Sequence, residues 1–144
     1  MESYVIDTSV VIKWFNQENE SNVKIAHQIY KEMLDNIIVL IVPNLIIIEV
    51  INALKKGKGM PLSAIKRDIH DFFSLPLIIK ETSQAILDQT ADIMENYNIA
   101  AYDALFVATA KDADCKLISD DTKSHGKITD GTVIMLSDYK SRSL

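Results

Sequence analysis

The stretch YVIDTS, residues 4–9, joins an apolar run to an acid and two hydroxyl residues. Tyr, Val and Ile favour a half-buried strand, whereas Asp does not. An acid at the point where a strand gives way to a loop either forms a turn or stands at a sheet edge for chemistry. The sequence therefore predicts a first strand over 3–6 with Asp7 at its carboxyl end, and the rest of the chain has to decide between these two roles.

Apolar periodicity predicts strands and helices in alternation along the rest of the chain. The predicted further strands are 37–42, 77–80, 116–119 and 132–136, and the predicted helices are 9–16 with Ser9 as N-cap, 21–36, 45–56, 61–74, 83–97 and 101–112. Strands that alternate with helices are joined by right-handed crossovers, which give a mostly parallel sheet with helices on both faces. The sequence thus predicts the α/β class, with functional groups at the carboxyl ends of the strands.

Composition limits the class of protein. The 144 residues are 48% hydrophobic and 24% charged, which suits a single globular domain over 1–144. The longest apolar stretch begins at Ile37 and is broken by Pro43 and Asn44, so we expect no membrane span. The single Cys115 is typical of a reducing, cytoplasmic location. A net charge of −5 argues against a broad basic surface for nucleic acid, unless divalent cations reverse the charge locally.

Several acids lie in or directly after apolar stretches, at places far apart in the sequence. Asp7 ends the first strand, Glu49 lies in LIIIEVINAL, and Asp103 lies in AAYDALFVATA. Asp120 and Asp121 follow the strand KLIS. An acid on a mainly apolar helix is costly unless it is paired or bound to a metal. The nearest cations on the helices of Glu49 and Asp103 lie more than a turn away, so each of these acids must find its partner elsewhere in the fold.

Convergence of these acids would be unfavourable without a cation. Two like charges about 4 Å apart cost roughly 4 kcal/mol at an effective dielectric near 20, and a divalent ion removes that cost. Ligands that are all oxygen point to Mg²⁺ or Mn²⁺, since His27, His70 and His125 fall outside the acidic stretches and are expected at the surface. Carboxylates that hold such ions are typical of phosphodiester hydrolysis by metal-activated water.

The stretches YVIDTSVVIKWF, IIIEVINAL, AAYDALFVATA and LISDDTK resemble, in order, the acidic motifs of the PIN-domain ribonucleases. They are especially similar to the VapC-type toxins of prokaryotic toxin–antitoxin pairs, and they span positions 4 to 123. The resemblance implies a three-layer α/β/α sandwich and Mg²⁺- or Mn²⁺-dependent cleavage of RNA. It further implies neutralisation by a small antitoxin protein encoded beside this one, and a homodimer.

The resemblance also assigns residues. Asp7, Glu49 and Asp103 match the three core acids, and Asp121 matches the fourth, with Asp120 as the alternative. The polar positions that match the family near the metal are Thr8, Ser9, Asn52 and Ser119. We expect the four acids to bind the metal directly or through water, with Asp103 a candidate to orient the attacking water. Lys13 and the run Lys55, Lys56 and Lys58 are candidates to contact flanking phosphates.

Each acid also has an ordinary structural interpretation. Asp7 alone could cap a helix, Asp103 could complement a helix dipole, and Asp120 and Asp121 could form a turn. Glu49 could pair with a lysine from another helix. Alternatives to a ribonuclease are another metal-dependent phosphodiesterase, such as a flap-type DNA nuclease, and a non-catalytic PIN-like interaction module. An aspartyl-phosphate phosphatase would need a second acid where Ser9 stands, and a receiver domain would need paired acids after its first strand.

Overall fold

A computed structural model describes residues 1–143 as a five-stranded parallel sheet flanked by helices. The strands are β1 Glu2–Ile6, β2 Ile38–Pro43, β3 Ile78–Lys80, β4 Lys116–Ser119 and β5 Val133–Met135. The helices are α1 Thr8–Phe15, α2 Val23–Leu34, α3 Ile46–Asn52, α4 Leu62–Phe73, α5 Gln84–Tyr97 and α6 Ala101–Asp112. A π-helical turn, Ala53–Gly57, extends α3, and short 3₁₀ turns cover His125–Lys127 and Leu136–Asp138.

The strand order is β3-β2-β1-β4-β5, and every neighbouring pair is parallel. The chain leaves β1 towards β2 and β3, then crosses back to add β4 and β5 on the other side. Because both series of crossovers are right-handed, α1–α4 cover one face of the sheet and α5–α6 cover the other. The direction reverses between β1 and β4, and this kind of switch point opens a crevice at the carboxyl end of a sheet.

The core lies at the centre of the sheet. Val5 and Ile6 of β1 and Leu117 and Ile118 of β4 are fully buried, as expected for central parallel strands covered on both faces. Helix α6 is buried from Ala104 to Ala110, because it packs against β1, β2 and β4 on one side and α5 on the other. None of the helices within residues 1–143 is long and apolar enough to cross a membrane.

A buried acid ties the C-terminal segment to α2. Glu32 is fully buried, and its Oε1 accepts hydrogen bonds from the hydroxyl of Ser141 at 2.5 Å and from the backbone N–H groups of Arg142 and Ser143 at 2.6 and 3.0 Å. Its Oε2 accepts from the Tyr139 hydroxyl at 2.5 Å. Burial alone would raise the pKa of Glu32, but these donors lower it to about 2.

The predicted fold class is confirmed, and each predicted strand and helix is present to within a few residues. Two details differ. The predicted helix 45–56 is divided into α3 and the π-helical turn. The N-cap of α1 is Asp7, not Ser9: Asp7 has an extended backbone, and its carboxylate accepts a hydrogen bond from the backbone N–H of Ser9. A carboxylate is as good a cap as a hydroxyl, and Asp7 is placed at the strand end to serve as one.

Candidate active site

The candidate site lies at the carboxyl edge of the sheet. Asp7 directly follows β1, and Asp121 lies two residues after the end of β4. Glu49 is in α3, and Asp103 is in the first turn of α6. The charges of Asp7 and Asp103 both act on Glu49, and those of Asp7 and Asp121 act on Asp103. These four acids, separated in sequence, are therefore brought into one neighbourhood.

Asp7 is held firmly at the switch point. Its side chain is buried, with 5% of the residue exposed, and its backbone N–H donates to the carbonyl of Ile118 at 3.0 Å. Its Oδ2 accepts from the backbone N–H of Ser9 at 3.1 Å and lies 3.4 Å from the Ser119 hydroxyl. The structural interpretation of Asp7 as a helix cap is thus correct, and the cap fixes this carboxylate within the acid neighbourhood.

Glu49 is the acid whose ionisation the fold opposes most. It is half-buried, and the Thr8 hydroxyl donates to its Oε1 at 3.3 Å. Burial, together with the nearby negative charges of Asp7 and Asp103, raises the pKa of Glu49 to about 7, against the smaller opposing effect of the Thr8 hydrogen bond. Because the ionised form of Glu49 is this unfavourable near neutral pH, a bound cation would stabilise it.

Asp103 is also destabilised as an anion. It is half-buried near the N-terminus of α6. Burial raises its pKa, and the charges of Asp121 and Asp7 add to the effect, while His125 opposes it. Asp103 and Glu49 thus share an excess of negative charge, which is the electrostatic condition for binding a divalent cation.

Asp121 and Asp120 occupy different environments. Asp121 accepts from the backbone N–H groups of Lys123 and Ser124, both at 3.2 Å, and from the Ser124 hydroxyl at 2.5 Å. Burial would raise the pKa of Asp121, but these hydrogen bonds lower it, so the side chain stays ionised. Asp120 instead forms an ion pair with Lys13 at 2.8 Å. This pairing favours Asp121 over Asp120 as the fourth acid of the site.

Lys13 is not placed to contact a phosphate, in contrast to the sequence prediction. Only 2% of the residue is exposed, and its Nζ lies 2.8 Å from both Glu20 and Asp120. Lys58 joins the same network through Glu20 at 2.7 Å. Lys55 and Lys56 are exposed on the π-helical turn, so they remain candidates for a phosphate contact.

The remaining predicted polar residues divide into two groups. Ser9, Thr8 and Ser119 contact the acids or their backbone: the Ser9 hydroxyl accepts from the backbone N–H of Asp120 at 2.9 Å, the Ser119 hydroxyl accepts from that of Asp121 at 3.1 Å, and the Thr8 hydroxyl donates to Glu49 in α3. Asn52 is exposed, on the same helix as Glu49. Ser9 and Ser119 therefore hold the loop after β4 that carries Asp120 and Asp121.

One residue of the site was missed by sequence reasoning. His125 is fully buried, not at the surface as predicted, whereas His27 and His70 are exposed. Its Nδ1 lies 2.6 Å from the Ser119 hydroxyl and 3.8 Å from Asp7 Oδ2. A lone His in the polar stretch TKSHGK carries no ligand spacing, so no pattern in the sequence marked it.

The donor chemistry of the site fits Mg²⁺ or Mn²⁺. All four candidate groups are carboxylates, the hard oxygen ligands that these ions prefer, and the repulsion on Glu49 and Asp103 is of the kind that a cation relieves. Within residues 1–143, no three His, Cys, Asp or Glu side chains are already arranged as a metal site. The acids would therefore need to turn towards a shared ion, as carboxylate side chains on staggered rotamers can do.

The chain matches the model of a known protein family. The model of the PIN domain matches residues 4–128, which is most of the chain. No curated protein matches the sequence.

Solved structures with the same fold come from several bacteria. A toxin–antitoxin complex from Klebsiella pneumoniae contains a chain 19% identical, with a TM-score of 0.68; the alignment covers 94% of this chain and 99% of that one. VapC20 of Mycobacterium tuberculosis, described as a sarcin–ricin loop cleaving toxin, is 13% identical with a TM-score of 0.66, covering 85% of this chain and 93% of that one. A DNA-bound VapBC from Salmonella typhimurium is 13% identical with a TM-score of 0.67, covering 94% and 99%.

Proposed function

The chain belongs to the PIN-domain family, and on that premise we propose that it is a metal-dependent endoribonuclease, the toxin of a toxin–antitoxin pair. The observation that carries the proposal is the neighbourhood of Asp7, Glu49 and Asp103 at the carboxyl edge of the sheet, where their charges act on one another. A stable protein does not gather buried acids without counter-charge unless the acids serve a purpose. Fold neighbours described as toxins support the choice of reaction.

Each acid has a role in this proposal that follows from its surroundings. Asp7, which is buried and held in place as the N-cap of α1, is a fixed ligand. Asp121 is ionised and held by its own turn, so it is a second anchored ligand. Glu49 and Asp103, with raised pKa values, complete the ligand set and gain most from a cation.

A divalent ion, when bound, would supply Lewis-acid activation of water and neutralise charge on the scissile phosphate. The protein's own contribution is to orient the water and the phosphate. A carboxylate beside the ion can orient the attacking water or accept its proton, and Asp103 and Glu49 are the candidates for this role. The exposed Lys55 is available to hold a flanking phosphate.

The test is cleavage of end-labelled RNA and of DNA of the same sequence. We expect cleavage of RNA with Mg²⁺ or Mn²⁺, none with EDTA, and a loss of at least about 100-fold for Asp7→Asn. Asn keeps a capping oxygen, so this variant is expected to fold. The matched control is Asp130→Asn, which removes an acid paired with Lys111 at 2.6 Å, outside the acid neighbourhood.

The outcomes separate the alternatives. Cleavage that survives both EDTA and Asp7→Asn would refute a metal-dependent site at these acids. Preferential cleavage of DNA would favour a flap-type or other DNA nuclease. Binding of RNA without cleavage under every metal condition would favour the non-catalytic interaction module.

A cleft between α1, α2 and α4 supports the antitoxin partner. It has a volume of about 570 Å³ and is lined by Trp14, Phe15 and Tyr30, with Asp68 and Asp71 on α4. Among residues 1–143, Oδ2 of Asp68 is the one buried side-chain nitrogen or oxygen without a hydrogen-bond partner. A cleft that combines aromatic side chains with acids, one of which has an unsatisfied carboxylate oxygen, suits a segment that carries an apolar side chain and a Lys or Arg.

Asp68→Asn tests that surface with the small protein encoded next to this chain as the probe. We expect about tenfold weaker binding by calorimetry and, in the free protein, a higher melting temperature, because the charge of a buried carboxylate with one unsatisfied oxygen is removed. Asp92→Asn, which changes an exposed acid on α5, is the control. Equal affinities for both variants would place the partner elsewhere.

An apolar patch supports the predicted homodimer. Leu87 and Tyr102 are 53% and 61% exposed, and they adjoin Leu45 in a shallow pocket lined by apolar atoms. We expect Leu87→Asp to shift the protein from dimer to monomer in light scattering. Leu62→Asp, which changes an equally exposed leucine on α4, should leave the dimer intact.

A further inference from the structure

His125 stands at the junction of the elements that carry the acids. It begins the 3₁₀ turn His125–Lys127, its side chain is fully buried, and its ring packs edge to face against Phe106 of α6 with centroids 6.4 Å apart. A buried imidazole needs partners for both ring nitrogens. Where those partners lie shows what the residue holds together.

Both nitrogens of His125 are satisfied. Nε2 lies 2.8 Å from the backbone carbonyl of Asp103, and Nδ1 lies 2.6 Å from the Ser119 hydroxyl. A carbonyl oxygen can only accept, so Nε2 must carry the hydrogen. In the neutral ring, Nδ1 is then the acceptor of the Ser119 hydroxyl, and the tautomer is fixed by the fold.

Ser119 extends this chain of contacts to the other acids. Its oxygen accepts the backbone N–H of Asp121 at 3.1 Å and lies 3.4 Å from Oδ2 of Asp7. One imidazole is thereby hydrogen-bonded to the backbone of Asp103 directly and linked to Asp121 through one hydroxyl. The hydroxyl hydrogen of Ser119 goes to Nδ1, so Asp7 is in contact with this chain without a further hydrogen bond. Glu49, in α3, lies outside this chain.

We propose that His125 is a positioning residue that sets the spacing of Asp103 relative to Asp7 and Asp121, and through it the affinity of the site for a divalent ion. This inference rests on the proposed function. Partners behind metal ligands typically contribute 10- to 100-fold to metal affinity or activity. A misplacement of about 1 Å can cost a similar factor in rate.

Two substitutions each remove one of the two hydrogen bonds of the His125 ring and can keep the other. His125→Asn places an amide near the position of Nδ1, so it can keep the Ser119 contact and loses the link to α6. His125→Gln reaches towards the Asp103 carbonyl and loses the Ser119 contact. We expect each to raise the Mn²⁺ concentration for half-maximal binding by about tenfold or more, with kcat lower and KM for RNA little changed.

The control is Thr109→Val, a buried change in α6, the helix that carries Asp103. The Thr109 hydroxyl donates to the carbonyl of Leu105 at 2.7 Å and does not touch the chain of contacts from His125. It should lower the melting temperature while Mn²⁺ affinity and kcat per folded molecule stay at the wild-type level. His125 variants with that same behaviour would show that His125 serves packing alone, and the proposal would be wrong.

The test is completed by measurements on the wild type and on a Ser119 variant, which depend neither on RNA cleavage nor on the folding of a His125 variant. In ¹⁵N NMR of the wild type, His125 should be the Nε2–H tautomer, and Ser119→Ala should shift the Nδ1 resonance and weaken Mn²⁺ binding in calorimetry. A hydrogen on Nδ1 alone, or unchanged Mn²⁺ binding in Ser119→Ala, would overturn the proposal. If the wild type binds Mn²⁺ as expected but cuts no RNA, the proposed function fails while the role of His125 is still decided.

Discussion

Two glutamates of this chain, one fully buried and one half-buried, have pKa values that are shifted in opposite directions. Glu32 in α2 is fully buried and surrounded by donors from the C-terminal segment, and its pKa falls to about 2. Glu49 in α3 is half-buried among other acids, and its pKa rises to about 7. Burial opposes ionisation in both cases, so the neighbours decide the outcome.

The difference separates an acid that stabilises the fold from one that costs stability. Glu32 gives the backbone N–H groups of Arg142 and Ser143 an acceptor and closes the C-terminal segment over α2. Glu49 has one neutral donor, Thr8, against the charges of Asp7 and Asp103. Strongly perturbed acids without counter-charge are concentrated at functional sites.

The largest expected effect is on cleavage. Glu49→Gln should lower kcat/KM for RNA by at least about 100-fold, which is about 3 kcal/mol of transition-state stabilisation, because a ligand of the proposed site is lost. Glu32→Gln should leave kcat/KM per folded molecule within about twofold of the wild type. The measurement is single-turnover cleavage of end-labelled RNA with Mn²⁺, with the folded fraction determined by circular dichroism.

If kcat/KM per folded molecule fell equally in Glu49→Gln and Glu32→Gln, the difference between the two glutamates would have no bearing on catalysis. Loss in neither variant would remove Glu49 from the proposed mechanism while leaving Asp7, Asp103 and Asp121 to be tested in the same assay.

The next effect is on the free energy of unfolding. Here Glu32→Gln is the variant expected to lose more, whereas Glu49→Gln was expected to lose more activity. Glu32→Gln should lower the free energy of unfolding by about 2 kcal/mol, because several donors lose a charged acceptor in a buried place. Glu49→Gln, measured at pH 8 in EDTA, should be at least as stable as the wild type, since a repelled charge is removed. Urea titration followed by circular dichroism measures both, and a less stable Glu49→Gln would contradict the electrostatic account.

The pH dependence sharpens the comparison further. Glu32 has a folded pKa of about 2, below its ordinary value of 4.5, so its contribution is present above pH 4.5 and is lost as the pH falls towards 2. Glu49 has a folded pKa of about 7, above the same ordinary value, so the stability it confers is present below pH 4.5 and is lost as the pH rises through 7. Unfolding in EDTA at pH 3, 5 and 8 should show Glu32→Gln approaching the wild type at acid pH and Glu49→Gln gaining on it at alkaline pH. Parallel curves for all three proteins would contradict both assignments.

The sequence predicted Glu49 and did not mark Glu32, for a physical reason. Glu49 lies between isoleucine and valine, so its cost is visible from its neighbours in the chain. Glu32 lies on an amphipathic helix with Lys31 beside it and looks like a solvated acid. Its donors lie 107 to 111 residues further along, and single-chain periodicity does not reveal such contacts.

The same limit explains the errors at the site. The strands and helices could be predicted because their signals are local: β-branched runs, helical spacing, and an acid where β1 ends. The burial of Lys13 depends on Glu20 and Asp120, which reach it from separate loops. The burial of His125 depends on Ser119 and on a carbonyl of α6. Residues that hold the site together were therefore harder to find than the acids they hold.

The smallest expected effect is a proton released when a metal ion binds. Near pH 7, about half of the Glu49 side chains are protonated in the free protein, because the pKa is about 7. Ligation needs the carboxylate, so Mn²⁺ binding should release about half a proton per ion at pH 7 and less at pH 8.5. Calorimetry in buffers of different ionisation enthalpy measures this number.

The two glutamates again provide the matched pair for this measurement. Glu49→Gln should abolish most of the proton release, whereas Glu32→Gln should leave it unchanged, because Glu32 is already ionised in the folded protein at pH 7. Release that persists in Glu49→Gln would assign the proton to Asp103, whose pKa is also raised by burial. That result would keep a metal at the acids but move the ligand that loses a proton on metal binding from Glu49 in α3 to Asp103 in α6.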